Sequence, residues 1–293
     1  ITFRGKRRRV RMVIYRRLNS GSKLRRGRSA VQDLHTVSQT LVSKLEGCGV
    51  KVQRYTGKEF YNWMLPWFNP SPRVGNGNPD ALLEHSPYPA QEDMPFGYDF
   101  SEKLFFNVPE SDQQKGVWYF DNKPHKYLNI LGINSLPKIG HISVERSFGN
   151  YWYSLLDKFP AGSVLQLTVI IQSQEAVKNH IFKIEHSTKR ASSTEAEMTR
   201  EDCAVAKRAI ESGNYFFPSV MGVYLRGDNL DDLYDKETEV ETLLASNGFQ
   251  ILNGDHELTP VDSYLRYLPM CYSYEFDKAR LLRSRYLSGV QAS

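Results

Sequence analysis

The stretch VMGVYLRGDNLDDLYDKETEVETLLASNGFQIL, residues 220–252, decides the fold. Its two ends, Val220–Leu225 and Phe249–Leu252, are short runs of β-branched, aromatic and aliphatic residues that are typical of strands. Between them, apolar residues recur at helical steps, at positions 230, 233, 240, 243 and 244. Gly248 supplies the glycine that commonly ends a helix. The stretch therefore predicts a strand–helix–strand unit.

A similar order is found near the beginning of the chain. Val10–Tyr15 alternates like a strand, and Val50–Tyr55 follows as a second strand. The helix between them is predicted from an apolar stripe, with Ser29 as its N-cap and Gly47 and Gly49 at its end. The stripe consists of Val31, Leu34, Val37, Leu41 and Leu45. Because the turn at 47–50 parallels the turn at 246–249, a duplication of a split strand–helix–strand unit is one interpretation.

The rest of the chain predicts further strands and helices. Strands are expected at Leu104–Val108, Val117–Asp121, Tyr127–Leu131, His141–Val144 and, as a buried strand, Val164–Ile171. Helices are expected at 57–68, 151–158, 175–189, 200–212 and in a short piece that ends near Pro269, and Thr199 with Asp202 resembles a capping box. The predicted fold class is α/β (α+β), with repeated strand–helix–strand units forming mixed sheets flanked by helices. No apolar run is long enough for a transmembrane helix.

Composition divides the chain into four predicted segments. Residues 1–68 form a basic strand–helix–strand unit with an aromatic helix, and 69–115 form an irregular connection rich in proline and glycine. Residues 116–280 form the main α/β domain, and 281–293 read as a linker.

The charge of the chain is concentrated in one segment. Net charge is +5, but residues 1–28 hold twelve Lys or Arg and no acidic residue, which leaves 26 basic against 33 acidic side chains elsewhere. Such a segment can neutralise phosphates of nucleic acid or anionic lipid headgroups, or it can be a solvated stretch balanced by the acidic remainder or by a partner chain. The candidate contacts are Arg7, Arg8, Arg9, Arg11, Arg25 and Arg26.

The helix predicted at 57–68 is unusually aromatic. Its aromatic side chains belong either to the core or to an exposed interface. On the second interpretation, Trp63, Trp67 and Phe68 are the candidate partner interface.

No catalytic or cofactor-binding motif is found in the sequence. Gly5-Lys6 and Gly57-Lys58 lack both the upstream glycine and the following Ser or Thr of a phosphate-binding loop. The histidines and the three cysteines are isolated, which favours surface or capping histidines over metal ligands. The cluster Asp228, Asp231, Asp232 and Asp235 could bind Mg²⁺, but acids at a strand-to-helix turn are more typical of helix capping. Catalytic, cofactor and metal residues are therefore predicted to be none.

Several strings together carry a family resemblance. They are YNWMLPWFNP at 61–70, FGYDF at 96–100 with LFF at 104–106, GVWYFD at 116–121, GHISVER at 140–146, YLRGDNLDDL at 224–233 and DSYLRYLPM at 262–270. In this order the chain resembles the region before the motor domain in conjugative transfer ATPases of integrative and conjugative elements, within the type IV secretion ATPase family. The aromatic string and the Leu-Arg-Gly-Asp stretch are the most specific parts.

The resemblance implies a bacterial cytoplasmic ATPase, peripheral to the inner membrane and assembled as a hexamer, that powers DNA transfer or pilus assembly. Its ATP and Mg would be bound in a P-loop motor domain beyond residue 293, because the Walker A and Walker B motifs are absent from this sequence. Whether the chain counts as an enzyme thus depends on its parent protein. The expected partners of this part are inner-membrane channel components and neighbouring ATPase subunits, with DNA as a further candidate. The alternative function is a stand-alone nucleic-acid-binding module that uses residues 4–28.

Overall fold

A computed structural model describes residues 9–15, 29–55, 57–74, 76–88, 104–133, 145–146, 152–153, 158–189, 191–252 and 259–273. The helices are α1 (Ala30–Gly47), α2 (Gly57–Phe68), α3 (Leu82–His85, after a 3₁₀ turn at Pro79–Ala81), α4 (Gln174–Thr188), α5 (Thr194–Glu211), α6 (Leu230–Ser246) and α7 (Pro260–Arg266). The strands are β1 (Glu110–Asp112), β2 (Val117–Phe120), β3 (Lys123–Ile133), β4 (Glu145–Arg146), β5 (Trp152–Tyr153), β6 (Val164–Val169), β7 (Ser219–Arg226) and β8 (Phe249–Ile251).

This mixture of helices with an antiparallel sheet of six strands confirms the predicted α/β (α+β) class. Contacts group the chain into one unit of residues 1–164 and 223–272 and a second of 165–222 and 273–293. The predicted boundaries at 68, 115 and 280 follow composition instead, and as boundaries of independently folding domains they stay a prediction.

The long strand β3 is the centre of the first unit. It pairs with β2 through a two-residue turn at Asp121-Asn122, where both residues have positive φ as a type I′ hairpin requires. Farther along, β3 pairs antiparallel with β8, and β7 is its other neighbour in the sheet.

The strand–helix–strand unit predicted over 220–252 is confirmed as β7, α6 and β8. Its two strands pair with β3 rather than with each other, which is the arrangement of a split unit. Helix α6 buries Leu233, Val240 and Leu244 and packs on β3 and β8.

Alternating side chains of β3 face two different helical layers. His125 and Tyr127 contact Tyr264 and the adjoining Tyr267 at the end of α7. Lys126, between them, pairs with a glutamate of α6. Because successive strand residues point to opposite faces, α6 covers one face of the sheet and α7 covers the other.

In the second unit, α4 and α5 form an antiparallel helical pair. Val177, Ala196, Cys203 and Ile210 are its buried side chains. Strand β6 is confirmed but is not buried as predicted. It is the last strand in the sheet order, so Leu167 and Val169 remain exposed.

The N-terminal strand–helix–strand prediction is only partly correct. Helix α1 forms as expected, with a capping box between Ser29 and Gln32 and a positive φ at Gly49 that matches Gly248 after α6. Residues 9–15 and 50–55, however, join no strand ladder. The first segment is held instead by side chains, including a bond from the Tyr15 hydroxyl to the Tyr272 carbonyl at 2.9 Å. A duplicated unit is therefore not formed.

Three other local predictions are wrong for physical reasons. The backbone of 104–106 is not a strand because the Asn69 side chain bonds the Leu104 carbonyl and the Phe106 N–H. Trp152–Tyr153 pairs with Glu145–Arg146 and is not helical, as suits its aromatic residues. Helix α5 begins at Thr194 with Ser193 as its cap, while Thr199 lies inside the helix. The strand expected at His141–Val144 lies outside the described residues.

Candidate interaction sites and the buried polar network

Helix α2 places its three candidate interface residues in different environments. Phe68 is buried, with its ring centroid 4.9 Å from that of Phe105 and 5.3 Å from that of Phe120. Trp67 is half-buried, and its indole N–H donates to the Tyr264 hydroxyl at 2.9 Å. Trp63 is half-buried beside the Phe60 ring. Phe68 thus belongs to the core, and Trp63 retains accessible surface without such a bond.

Trp63 also contacts Arg11, a residue of the basic segment. The Arg11 guanidinium carbon lies 4.5 Å from the centroid of the Trp63 ring, a cation–π contact. Arg9 is exposed. Arg7, Arg8, Arg25 and Arg26 lie outside the described residues, so the proposed basic contact surface stays a prediction. Arg11 is committed to an aromatic face of the chain itself, which makes it a weaker candidate for phosphate than Arg9.

A buried His–Tyr–Trp network lies between α2, β3 and α7. The Tyr264 hydroxyl accepts the Trp67 N–H and lies 3.0 Å from His125 Nδ1. Because an indole nitrogen only donates, the hydroxyl hydrogen remains free for Nδ1, which favours the His125 tautomer protonated at Nε2. Nε2 itself is buried, and no described group hydrogen-bonds to it.

The electrostatics of this network fit a structural role. Burial, and secondarily the charge of Arg226, lowers the pKa of His125 to about 3, so the imidazole is neutral at physiological pH. Burial raises the pKa of Tyr264 well above its usual range, against a smaller lowering effect of the Trp67 hydrogen bond. Neither group is poised to exchange protons near neutral pH.

The prediction that His125 is a surface or capping histidine is wrong. The residue is completely buried because the strand position that it occupies faces α7. The only sequence signal was its place within an aromatic-rich strand, between Tyr119 and Tyr127.

Other aromatic hydroxyl and indole groups of the first unit bond to the backbone of α7. Tyr224 donates to the Tyr264 carbonyl at 3.0 Å, and Trp118 donates to the Val261 carbonyl at 2.9 Å. Burial raises the pKa of Tyr224 well above its usual range. These bonds fix α7 on the sheet.

Two members of the acidic cluster at the start of α6, Asp228 and Asp232, make ion pairs or bond to the backbone. Asn229 is the N-cap, and its Oδ1 accepts the Asp232 N–H. Asp232 Oδ2 accepts the Asp228 N–H at 2.7 Å and pairs with Lys236 at 2.7 Å, and these contacts hold the pKa of Asp232 below its usual value. The capping interpretation is confirmed for Asp232, which accepts a backbone N–H, while the N-cap itself is Asn229 rather than an aspartate.

Gly227 makes the turn before this cap possible. An added Cβ would meet the Asn229 carbonyl oxygen at 2.5 Å and the Leu233 Cβ at 2.8 Å. The Leu-Arg-Gly-Asp stretch therefore brings strand and helix into close contact.

The described part of the chain holds neither a metal cluster nor a membrane-spanning helix. No group of three His, Cys, Asp or Glu side chains there is arranged to hold a metal ion. None of the helices there combines the length and apolar content that crossing a bilayer requires.

Comparison with known families gives a match over most of the chain. The family model described as TraC protein matches residues 2–272. The chain belongs to the TraC family. This is a family of conjugative transfer ATPases, so the chain has a role in conjugative type IV secretion and the resemblance to type IV secretion ATPases is confirmed. No similar sequence was found among curated proteins.

In this TraC chain, the described family-like strings support the fold. The string at 61–70 supplies the last eight residues of α2 and Asn69, whose side-chain amide holds the loop at 104–106. The strings at 116–121 and 262–270 supply Trp118 and Tyr264 to the network around α7. The string at 96–100 and the first five residues of the string at 140–146 lie outside the described residues. The TraC strings whose contacts are described therefore pack α2, α7 and the loop at 104–106 onto the sheet.

Proposed function

We propose that this TraC chain is the docking and assembly region of a conjugative type IV secretion ATPase that powers DNA transfer or pilus assembly. ATP and Mg would be bound by a P-loop domain that follows residue 293 in the parent protein, and residues 1–293 would bind no cofactor. One observation carries this proposal. The model of a conjugative-ATPase family matches residues 2–272, and the sequence has no Gly-x-x-x-x-Gly-Lys-Ser/Thr motif.

The environments of the polar side chains support this proposal. The carboxylate of Asp232 accepts the Asp228 N–H and pairs with Lys236, and the His125 imidazole is buried and neutral. A catalytic acid or base needs access to its substrate and a pKa near the working pH. These groups instead position α6 and α7.

The proposed setting is the cytoplasmic side of the bacterial inner membrane. The proposed partners are inner-membrane channel components of the secretion system and neighbouring subunits of a hexameric ATPase. Trp63 is the residue of α2 best suited to meet such a partner, since its ring is accessible and rimmed by the polar Arg11.

Trp63 provides a test of docking. Purified inner-membrane channel components, in detergent, are titrated against the wild-type chain, Trp63→Ala and the control Tyr234→Ala, which alters an exposed aromatic on α6. We expect one component to bind wild type and the control equally and Trp63→Ala at least about tenfold more weakly. Failure of every component to bind the folded wild type contradicts the docking function.

A second candidate function is a nucleic-acid-binding module built on residues 4–28. It is favoured by the twelve basic residues of that region and by the exposure of Arg9. This function requires affinity for DNA that falls steeply with salt and drops when Arg7, Arg8 and Arg9 become Ala. DNA binding unaffected by that triple substitution excludes it.

A further inference from the structure

Arg226, the last residue of β7, has no counter-charge in the described part of the chain. Among the described residues, no carboxylate pairs with its guanidinium and no acceptor bonds to it. The neighbouring lysines differ in this respect. Lys123 pairs with Asp228 at 3.2 Å, and Lys236 pairs with Asp232 at 2.7 Å. Arg226 is therefore an unpaired cation among paired ones.

The Arg226 guanidinium lies beside the buried His–Tyr–Trp network. Arg226 follows Tyr224 by two residues on the strand, so its side chain points to the face that α7 covers. Burial is the main cause of the shifted pKa of His125 and of Tyr264, and the charge of Arg226 acts to lower both. The Nη2 atom lies 4.0 Å from the position that a Cβ on Gly162 would occupy. The positive charge is thus held between buried aromatic groups and the surface.

The burial of Arg226 indicates that an anion from outside the chain completes its environment. The side chain is half-buried, so it has lost part of its water shell, and a paired anion offsets such a loss. Half-buried Trp67 borders the same network through its bond to Tyr264. Arginine and tryptophan are among the residues that most often anchor protein interfaces. This part of the surface therefore suits a protein partner that supplies the anion.

The acidic residues that follow Arg226 decide what kind of anion fits. Asp228, Asp231, Asp232 and Asp235 lie within nine residues of it, and three of them are exposed. A polyanion such as duplex DNA or an anionic bilayer would bring many negative charges against these aspartates. A single carboxylate avoids most of that repulsion and matches the planar fork of arginine with two parallel hydrogen bonds.

We propose that Arg226 binds an aspartate or glutamate side chain of a protein partner, in a segment whose other residues are neutral or basic. This inference rests on the proposed docking function and names the chemistry that the docking partner presents. It assigns a binding residue to the Leu-Arg-Gly-Asp stretch, in which Gly227 makes the turn into α6.

The test is titration of each purified inner-membrane channel component, in detergent, against the 293-residue chain. Arg226→Gln is compared with the control Arg73→Gln, which removes the same charge from an exposed position of the same unit. We expect the control to bind one component as tightly as wild type and Arg226→Gln to bind it at least about tenfold more weakly. Arg226→Lys should also bind more weakly, by about threefold or more, because an ammonium keeps the charge but lacks the fork.

The stability of the free chain separates a binding residue from a structural one. Because no described group pairs with Arg226, the urea midpoint of Arg226→Gln should equal or exceed that of wild type. Binding of the component by wild type should also weaken with added salt more steeply than binding by Arg226→Gln.

Three outcomes overturn the inference. The first is binding of the component by Arg226→Gln as tight as that of wild type. The second is a lowered urea midpoint with unchanged binding, which would mean that the guanidinium has an acceptor within the chain. The third is DNA binding or self-association that Arg226→Gln abolishes, since the occupant would then differ.

The docking function and this inference can fail separately. If no component binds the folded wild-type chain, the docking function fails and the inference fails with it. If a component binds and Trp63→Ala weakens the complex while Arg226→Gln does not, only the inference fails.

Discussion

Replacing Tyr264 by Phe removes a single oxygen that joins three elements of the fold. That hydroxyl accepts the Trp67 N–H at 2.9 Å and contacts His125 Nδ1 at 3.0 Å. In the variant, the Trp67 N–H and the His125 Nδ1 both lose this hydroxyl as a hydrogen-bond partner. Each buried polar group left unpaired costs about 1–3 kcal/mol. The indole of half-buried Trp67 can regain a hydrogen bond from water, which offsets part of this cost. We therefore expect the free energy of unfolding to fall by about 2–4 kcal/mol.

The assay is urea unfolding followed by circular dichroism. Tyr234→Phe is the matched control, because it deletes the same atom from an exposed side chain of α6 and should change stability by less than about 0.5 kcal/mol. A Tyr264→Phe midpoint and slope equal to those of wild type would refute the reasoning that this network fixes α7 on the sheet.

Three further perturbations test the first unit. Gly227→Ala should cost roughly 1–3 kcal/mol in thermal or urea unfolding, because its Cβ would meet the Asn229 carbonyl oxygen and Leu233. Gly47→Ala, whose Cβ has open space, should be neutral or slightly stabilising. Lys126→Met should cost about 3 kcal/mol by leaving Glu237 without its partner at 2.5 Å, while adding Glu237→Leu should recover most of the loss. The depressed pKa of His125 means that the unfolded chain takes up a proton below about pH 6.5 while the folded chain does not, until about pH 3. Stability should therefore fall by about 2 kcal/mol from pH 7 to pH 5 through this group, and the difference between wild type and His125→Phe should shrink by that amount. A difference that is constant with pH would contradict the buried neutral histidine.

Local signals explain which elements could be predicted. Helices α1, α4 and α6 follow from apolar periodicity and from caps within a few residues of each end. Strands β2, β3 and β7 coincide with β-branched and aromatic runs. These signals depend only on neighbours along the chain.

Long-range contacts explain the failures. The strand expected at 104–108 is replaced because Asn69, 35 residues away from Leu104, bonds that backbone. The burial of His125 depends on Tyr264, which is 139 residues away. Alternation at 10–15 looked like a strand, but it has no ladder partner in the described structure and Arg11 instead rests on Trp63.

The environments of the candidate site residues also depend on long-range contacts that local signals do not contain. Burial of Phe68 follows from contacts with Phe105 and Phe120, which one helix pattern does not contain. The exposure of α1 was equally hidden, since an apolar stripe predicts a buried face, whereas no residue of α1 is buried in the described structure.

The central claim, that this TraC region places a motor without binding its nucleotide, is tested most directly by titrating MgATP into the folded 293-residue chain in a calorimeter. Folding is checked beforehand by a cooperative urea transition. We predict no saturable heat up to millimolar MgATP. A saturable isotherm with a micromolar dissociation constant would contradict the claim.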